Sequence, residues 1–164
     1  MDPLRVSSEF RFEKRRADAI LTFVGGATVT GCFFIADGTA RHEGAERVSD
    51  LLNSETGFFP FEIQGDEGPE TVLYNRSRVI TVEVFDDEAR LDPGYAVATR
   101  RVVSILLSDG RRIDGAVRVY RPAGRDRLSD WTRQPETFRY VEGDGVTLII
   151  NADHIVSVTE VSGS

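Results

Sequence analysis

Cysteine and histidine are scarce in this sequence of 164 residues. Cys32 is the one cysteine, so the chain cannot form an internal disulfide bond. Its place in the apolar run CFFI predicts a buried thiol, which fits a reducing compartment, and we expect a cytoplasmic protein. The two histidines, His42 and His154, lie far apart in the chain. Because a transition-metal site gathers several cysteines and histidines, we expect no metal site.

Long apolar runs are also missing. No stretch approaches the roughly 20 apolar residues that an α-helix needs to cross a bilayer. The N-terminal stretch MDPLRVSSEFRFEKRR contains no apolar segment like that of a signal peptide. We therefore expect no association with a membrane. The hydrophobic fraction of 40% and the charged fraction of 29% are typical of a folded protein.

Basic residues are fewer than acidic ones, with 20 Lys and Arg against 27 Asp and Glu and a net charge of −7. The excess lies in residues 1–90, which hold 17 acidic and 10 basic residues, whereas residues 91–164 hold 10 of each. Proteins that bind nucleic acids usually carry a basic surface, because the release of counterions drives their binding. The overall charge therefore argues against a nucleic acid as partner, although a local basic face is compatible with one.

The sequence contains no recognisable catalytic motif. A nucleophilic Ser, Cys or Thr needs a base such as His close by, but His42 lies in a loop-like stretch and His154 in a predicted turn. The acidic stretches lack the spacing of a calcium loop. The glycines lie between predicted strands and not before a helix, as a phosphate loop requires. We expect no catalytic residues, no cofactor and no enzymatic activity.

What the sequence does contain is an internal repeat. The stretch RVSDLLNSETGFFPF at residues 47–61 resembles RLSDWTRQPETFRYV at residues 127–141. The similarity continues on both sides, and it pairs residues 19–35 with 103–119 and residues 72–84 with 148–160. The length differences fall in Gly-rich and charged stretches, where loops tolerate insertion. Such a pattern is typical of a duplicated structural unit.

Each copy predicts five β-strands. In the second copy an aliphatic run leads to Asp109-Gly110, a pair typical of a two-residue hairpin turn, and a strand with alternating polarity follows. Gly31 and Gly115 fall on the inward side of the second strand, where a missing side chain permits a sharp bend. Ser49 or Asp50 can cap a short helical turn. A third strand and a final pair of strands follow that turn.

We therefore expect a mainly β protein made of two tandem five-stranded small barrels with short helical turns. Residues 51–52 in the first copy and Trp131 in the second are expected to cover one end of a barrel. Phe58, Phe59 and Phe61 lie within a repeated strand, which favours packing in a core or an interface over stacking on bases. The expected boundaries are an N-terminal extension at 1–17, a first repeat at 18–85, a linker at 86–100 and a second repeat at 101–161.

Five strands per copy, a Gly in the second strand and the closing pattern N-x-x-x-[VI]-x-x-V resemble the Sm/Lsm family. Its fold is a small, strongly bent, SH3-like barrel. The R-[VL]-S-D-x-x-N element is also similar to an uncharacterised family of bacterial Sm-like domains, although Arg133 stands where the second copy would have the Asn. The resemblance covers roughly residues 18–84 and 101–161. It implies that the fourth and fifth strands join subunits into rings.

The residues with which Sm proteins bind RNA are not matched in this chain. The family has an Asp six residues after the second-strand Gly and an Asn four residues further on. Asp37 follows Gly31 at the first spacing, but Arg41 replaces the Asn, and Arg121 replaces the Asp in the second copy. Neither copy has the family's Arg-Gly before its last strand. No RNA-binding residues are therefore carried over from the family.

The favoured function is a non-catalytic interaction or assembly module that self-associates through barrel edge strands, with a protein as partner and a homo-oligomer as the expected state. A trimer would give a ring of six barrels; alternatively, the two barrels pack only on each other. The alternative function is RNA binding by the Arg-rich face of the second copy, although an ordinary solvated surface explains the same arginines. The candidate binding residues are Arg47, Asp50, Asn53, Arg111, Arg112, Arg118, Arg121, Arg127 and Asp130.

Overall fold

A computed structural model describes residues 14–36 and 46–161 of the chain. These residues form ten β-strands and two short α-helices, which confirms the prediction of a mainly β protein. The strands are β1 (Lys14–Phe23), β2 (Thr28–Ala36), β3 (Phe58–Gly65), β4 (Gly68–Asn75), β5 (Val79–Val84), β6 (Thr99–Leu107), β7 (Arg112–Val119), β8 (Phe138–Glu142), β9 (Thr147–Asn151) and β10 (Ile155–Glu160). The helices are α1 (Val48–Asn53) and α2 (Leu128–Thr132), and 3₁₀ turns cover Arg76–Arg78, Glu88–Leu91, Tyr95–Val97 and Ala152–His154.

All these strands belong to one antiparallel sheet with the order β10-β6-β7-β8-β9-β5-β1-β2-β3-β4. Within the described residues β10 and β4 are the two ends of this order and do not pair with each other, so the sheet is open. The strand pairing thus shows one continuous open sheet, and it does not by itself divide the strands into two tandem barrels. β5 and β9 pair with each other, so the two predicted repeats share this sheet.

The sheet consists of two halves with the same internal order. The first half is β5-β1-β2-β3-β4, and the second half is β10-β6-β7-β8-β9. Each half begins with a hairpin whose turn uses glycine at positive φ, at Gly25 and Gly26 in the first half and at Gly110 in the second. Glycine adopts this backbone conformation without steric cost. The hairpin turns predicted at these positions are confirmed.

Two glycines allow the second and third strands of each half to approach very closely. A Cβ atom on Gly31 would lie 2.1 Å from the carbonyl oxygen of Glu62, and one on Gly115 would lie 2.7 Å from that of Glu142. Both distances are shorter than real Cβ atoms show. At each crossing the paired register covers a single position, Cys32 with Glu62 in the first half and Ala116 with Glu142 in the second. The strands therefore diverge on either side of the crossing.

The apolar core consists of two clusters, and each cluster contains residues from both halves. The first cluster contains Leu52 of α1 together with Phe138 and Ile149 from the second half. The second cluster contains Trp131 of α2 together with Ile80 from the first half. Each helix therefore covers its own cluster, as the sequence predicts for residues 51–52 and Trp131. Because both halves contribute to each cluster, apolar packing joins the halves as well as strand pairing.

The observed strands extend beyond the predicted repeat boundaries. β1 begins at Lys14, inside the predicted extension at 1–17, and β6 begins at Thr99, inside the predicted linker. Residues 1–13 of the extension lie outside the described residues. The segment at 86–98 forms two 3₁₀ turns, and it contacts both halves: Asp86 pairs with Arg15, and the Tyr95 hydroxyl donates to Glu142. Neither helix in the described part of the chain is long and apolar enough to cross a membrane.

Candidate assembly interface

The pairing of β5 with β9, which we call the inner junction, is the contact that joins the two halves. Its register opposes Thr81 to Ile150, Val82 to Ile149, Glu83 to Leu148 and Val84 to Thr147. Ile80, Ile149 and Ile150 are fully buried at this junction. Burying an aliphatic side chain of this size contributes roughly 1.5–3 kcal/mol. The inner junction is thus both hydrogen-bonded and apolar.

Asn53 adds a polar bridge across the inner junction. Its side-chain Nδ2 donates to the carbonyl oxygen of Phe138 at 2.8 Å, and its Oδ1 accepts from the Phe138 amide at 2.8 Å. Asn151 crosses in the opposite direction, because its Nδ2 donates to the carbonyl oxygen of Val79 at 2.9 Å. Asn53 was a candidate from the sequence, and the structure places it at the contact between the halves.

Glu88 is a buried carboxyl group that binds elements from both halves. Its Oε1 accepts from the Val48 amide at 3.0 Å and from the Tyr140 hydroxyl at 2.8 Å. Its Oε2 has no hydrogen-bond partner among the described residues. Burial raises the pKa of Glu88 above its ordinary value, because water no longer stabilises the charged form. Burial likewise raises the pKa of Tyr140, and the nearby Glu88 adds to that shift.

The two ends of the sheet expose apolar side chains. At the first-half end, Leu73 of the end strand β4 is 64% exposed, and Phe58 of the adjacent strand β3 is 60% exposed. On the second-half end, Val156 of β10 is 64% exposed. We call these two ends the outer edges. A sheet edge with unpaired backbone groups and exposed apolar side chains favours pairing with another strand.

The matching order of the halves gives every outer-edge residue an equivalent at the inner junction. Phe58 pairs with Asn75 as Phe138 pairs with Asn151, so Phe58 is equivalent to Phe138. By the same register Leu73 is equivalent to Ile149. Val156 is the second residue of β10, as Ile80 is of β5. The three exposed residues of the outer edges therefore correspond to Phe138, Ile149 and Ile80, which are all buried.

An arginine donates to the carbonyl groups at the end of each helix, but from a different position in each half, and Arg76 is buried whereas Arg139 is half-buried. Arg76 donates to the carbonyl oxygens of Leu51 and Leu52 at 3.0 Å and to that of Phe58 at 2.6 Å. In the second half Arg139 takes this role and donates to the carbonyl oxygens of Trp131 at 2.9 Å and Gln134 at 2.7 Å. These two arginines therefore have structural roles, because free helix C-terminal carbonyls need donors.

The repeated R-[VL]-S-D element starts each helix. The amide of Arg47 donates to Asp50 Oδ2 at 2.9 Å, and the amide of Arg127 donates to Asp130 Oδ2 at 2.9 Å. Asp50 thus has the capping role that the sequence left open between Ser49 and Asp50. The guanidinium of Arg47 also pairs with Asp92 at 2.5 Å. These contacts account for four of the candidate residues as parts of helix starts.

The basic candidates of the second half contact different partners. Arg111 bonds Asp109 at 2.7 Å and Thr81 at 3.1 Å, beside the inner junction. Arg112 bonds the Ser104 hydroxyl at 3.2 Å. Arg118 pairs with Glu142 at 3.2 Å, and Arg121 is exposed. A cleft of about 580 Å³ between the halves brings together five of the candidates, Arg47, Asp50, Asn53, Arg118 and Arg121.

That cleft has a balanced charge. Its lining includes the carboxylates of Asp50, Asp92, Glu136 and Glu142 beside the guanidinium groups of Arg47, Arg118, Arg121 and Arg139. Opposite charges in contact neutralise one another at a distance, so the cleft does not present the concentrated positive potential that phosphate groups need. The sequence did not predict this compensation, since the carboxylates come from four separate segments.

His154 contacts a serine hydroxyl in its own half and a backbone carbonyl across the inner junction. The hydroxyl of Ser108 lies 2.9 Å from Nδ1 of His154, and Nε2 of His154 lies 2.9 Å from the carbonyl oxygen of Ser77. The carbonyl can only accept, so Nε2 of His154 carries a proton and donates to it. Neither Ser108 nor His154 lines a cleft described for the molecule. His42 lies outside the described residues, and the described residues contain no group of three potential metal ligands.

Sequence reasoning missed Leu73, Val156 and Glu88. The signal for Leu73 and Val156 was that both aligned copies have an aliphatic residue at each of these positions. The alignment did not show in which copy that residue is buried. Glu88 stands in the acidic stretch DDEAR, which reads as a solvated helix start. Comparisons of the chain with protein-family models, with curated proteins and with solved structures found no match.

Proposed function

We propose that this protein is a non-catalytic assembly module made of two Sm-like, SH3-like barrels, and that it self-associates through its outer edges. In this proposal each half of the sheet curls into a barrel-like unit at the close crossing beside Gly31 or Gly115. The identical strand order of the halves and the presence of two apolar clusters, one beneath each helix, support this view. In the described part of the chain β4 and β5 do not pair with each other, so both strands are available for contacts between units.

The observation that carries the proposal is the equivalence between the outer edges and the inner junction. Phe58, Leu73 and Val156 are exposed, yet their equivalents at the inner junction are buried. The same two strand types, fourth and fifth, meet at the inner junction and end the sheet. The chain therefore already contains one example of the contact that two copies would form. The proposed partner is a second copy of the chain, because it carries a β10 edge that can pair with β4 and a β4 edge that can pair with β10.

The inner junction predicts the register of the outer contact. If β10 pairs with β4 of a neighbouring chain as β5 pairs with β9, Val158 lies opposite Leu73 of the neighbour. Ser157 then lies opposite Tyr74, and Glu160 lies opposite Thr71. Each chain offers one β10 edge and one β4 edge, so the contact is head-to-tail and can continue from chain to chain. Closure after three chains would place six halves in a ring.

The experiment measures mass as a function of protein concentration by light scattering and sedimentation, for the wild type and for Leu73→Asp. We expect the wild type to associate, and we expect Leu73→Asp to weaken association by about 10- to 100-fold, since burial of a leucine contributes roughly 1.5–3 kcal/mol. Leu91→Asp is the matched control, because Leu91 is also exposed but lies in the 3₁₀ turn at Glu88–Leu91 and not in either end strand.

Val156→Asp tests the other outer edge, with Val97→Asp as its matched control on the 3₁₀ turn at Tyr95–Val97. In a head-to-tail contact, mixing Leu73→Asp with Val156→Asp restores one intact pair of edges, so the mixture forms dimers and nothing larger. A wild type that is monomeric at all concentrations up to tens of micromolar would refute the proposal. So would equal effects of the edge variants and their controls.

RNA binding through the second half is the alternative function. It is supported by exposed arginines at positions 112, 121, 125 and 127. The experiment is a salt titration of binding to single-stranded oligonucleotides, in which phosphate contacts cause a steep loss of affinity with rising salt. Absence of binding at low salt would exclude this alternative. The balanced charge of the cleft between the halves makes it the less favoured function.

A further inference from the structure

We propose that the outer contact is a reversible form of the inner junction, because the outer edges keep its apolar residues, and Asn75 at the position of Asn151, but have lost the polar bridges of Asn53 and Tyr140. This inference rests on the proposed self-association. It concerns how the contact is regulated: the inner junction holds two halves together permanently, whereas the outer contact opens and closes and lets chains exchange. Three differences between equivalent positions carry the inference.

The first difference is at the end of each helix. Asn53 is the last residue of α1, and it bonds both backbone groups of Phe138 across the inner junction. The equivalent position after α2 is Arg133, which is exposed and lies 3.6 Å from Asp130 of its own helix. An arginine side chain has donors but no acceptor. It therefore cannot accept from the amide of Phe58 in a neighbouring chain as Asn53 accepts from Phe138.

The second difference is at Phe58. Its carbonyl oxygen already accepts from Arg76 Nη1 at 2.6 Å within its own chain, whereas the carbonyl oxygen of Phe138 accepts from Asn53 of the other half. Ala152 replaces Arg76 at the equivalent position of the second half. The outer edge thus satisfies this backbone group without a neighbour.

The third difference is at the position of Tyr140. The Tyr140 hydroxyl donates to Glu88 across the inner junction, and the equivalent residue of β3 is Pro60, because Pro60 pairs with Leu73 as Tyr140 pairs with Ile149. Proline has no side-chain donor and no backbone amide hydrogen. The outer contact therefore lacks this second bridge. Strand pairing and apolar burial remain, which suits a contact that forms and then separates.

Subunit exchange tests this inference. Two batches of the chain carry a donor or an acceptor dye, and energy transfer after mixing reports exchange between assemblies. We expect wild-type chains to exchange, and we expect Arg133→Asn, which introduces the amide of the inner junction, to slow exchange about three-fold or more. Arg125→Asn is the matched control, because it removes the same charge from an exposed position of the second half and should leave the exchange rate unchanged.

The outcomes separate this inference from the proposed function. A wild type that assembles but does not exchange over days would overturn reversibility while leaving self-association in place. A wild type that never assembles would remove both. Equal exchange rates for Arg133→Asn and Arg125→Asn would show that position 133 has no part in holding the contact. A slower rate for Arg133→Asn alone would establish that role.

Discussion

Replacing Gly31 by alanine tests the close crossing on which the curled halves depend. The added Cβ atom would lie 2.1 Å from the carbonyl oxygen of Glu62 and 2.6 Å from a ring carbon of Phe61. The nearest atom belongs to the backbone, which cannot rotate away as a flexible side chain can. β2 and β3 must therefore separate at the one position where they are paired. Gly115→Ala is milder, with 2.7 Å to the carbonyl oxygen of Glu142.

The expected magnitude follows from two opposing effects. Overpacking in a well-packed region costs about 1–3 kcal/mol, whereas a Gly-to-Ala change stabilises by about 0.4–1 kcal/mol through the unfolded chain. We expect a net loss of about 2 kcal/mol for Gly31→Ala and about 1 kcal/mol for Gly115→Ala. Gly143→Ala is the control, because its nearest neighbour would be 3.5 Å away. Its stability should stay within about 0.5 kcal/mol of wild type.

Urea denaturation followed by Trp131 fluorescence measures these differences, since Trp131 is buried in the second cluster. A loss of 2 kcal/mol corresponds to a decrease of about 4–8 °C in Tm for a chain of this size. The order of stability should be Gly143→Ala, then Gly115→Ala, then Gly31→Ala. If Gly31→Ala is as stable as Gly143→Ala, β2 and β3 do not approach each other closely at Gly31, and the predicted loss of stability is wrong.

Two further predictions concern the inner junction. The raised pKa of Glu88 means that the native state holds the proton more tightly than the unfolded chain, so the stability this group contributes is present below about pH 4.5 and is lost as pH rises through the native pKa. Glu88→Gln should remove that loss. The difference in the free energy of unfolding between wild type and variant, measured by urea denaturation, should therefore change with pH. A difference that stays constant with pH would contradict this prediction. Asn53→Ala leaves both backbone groups of Phe138 without their partner and should cost about 1–3 kcal/mol, whereas Arg133→Ala at the equivalent exposed position should cost less than about 0.5 kcal/mol. Equal losses for the two would show that the Asn53 bridge contributes little.

Local sequence determined the strands, turns and helix starts of this protein. Asp109-Gly110 forms its hairpin turn because Gly110 adopts positive φ at little cost. Asp50 and Asp130 start their helices because a carboxylate three residues into the element reaches the amide of Arg47 or Arg127. These effects act over a few residues, so a short stretch of sequence is enough to predict them. The repeat could be predicted because the same local patterns occur twice in the sequence.

Only the tertiary structure decided which of the equivalent residues are buried. Ile80 and Val156 occupy the same position in equivalent strands, yet Ile80 is buried and Val156 is exposed, because β9 covers β5 and no described strand covers β10. Glu88 likewise reads as a solvated acid until α1 and β8 enclose it. Strands far apart in the chain pair along the edges that the whole sheet leaves free. Local sequence does not determine which edges these are.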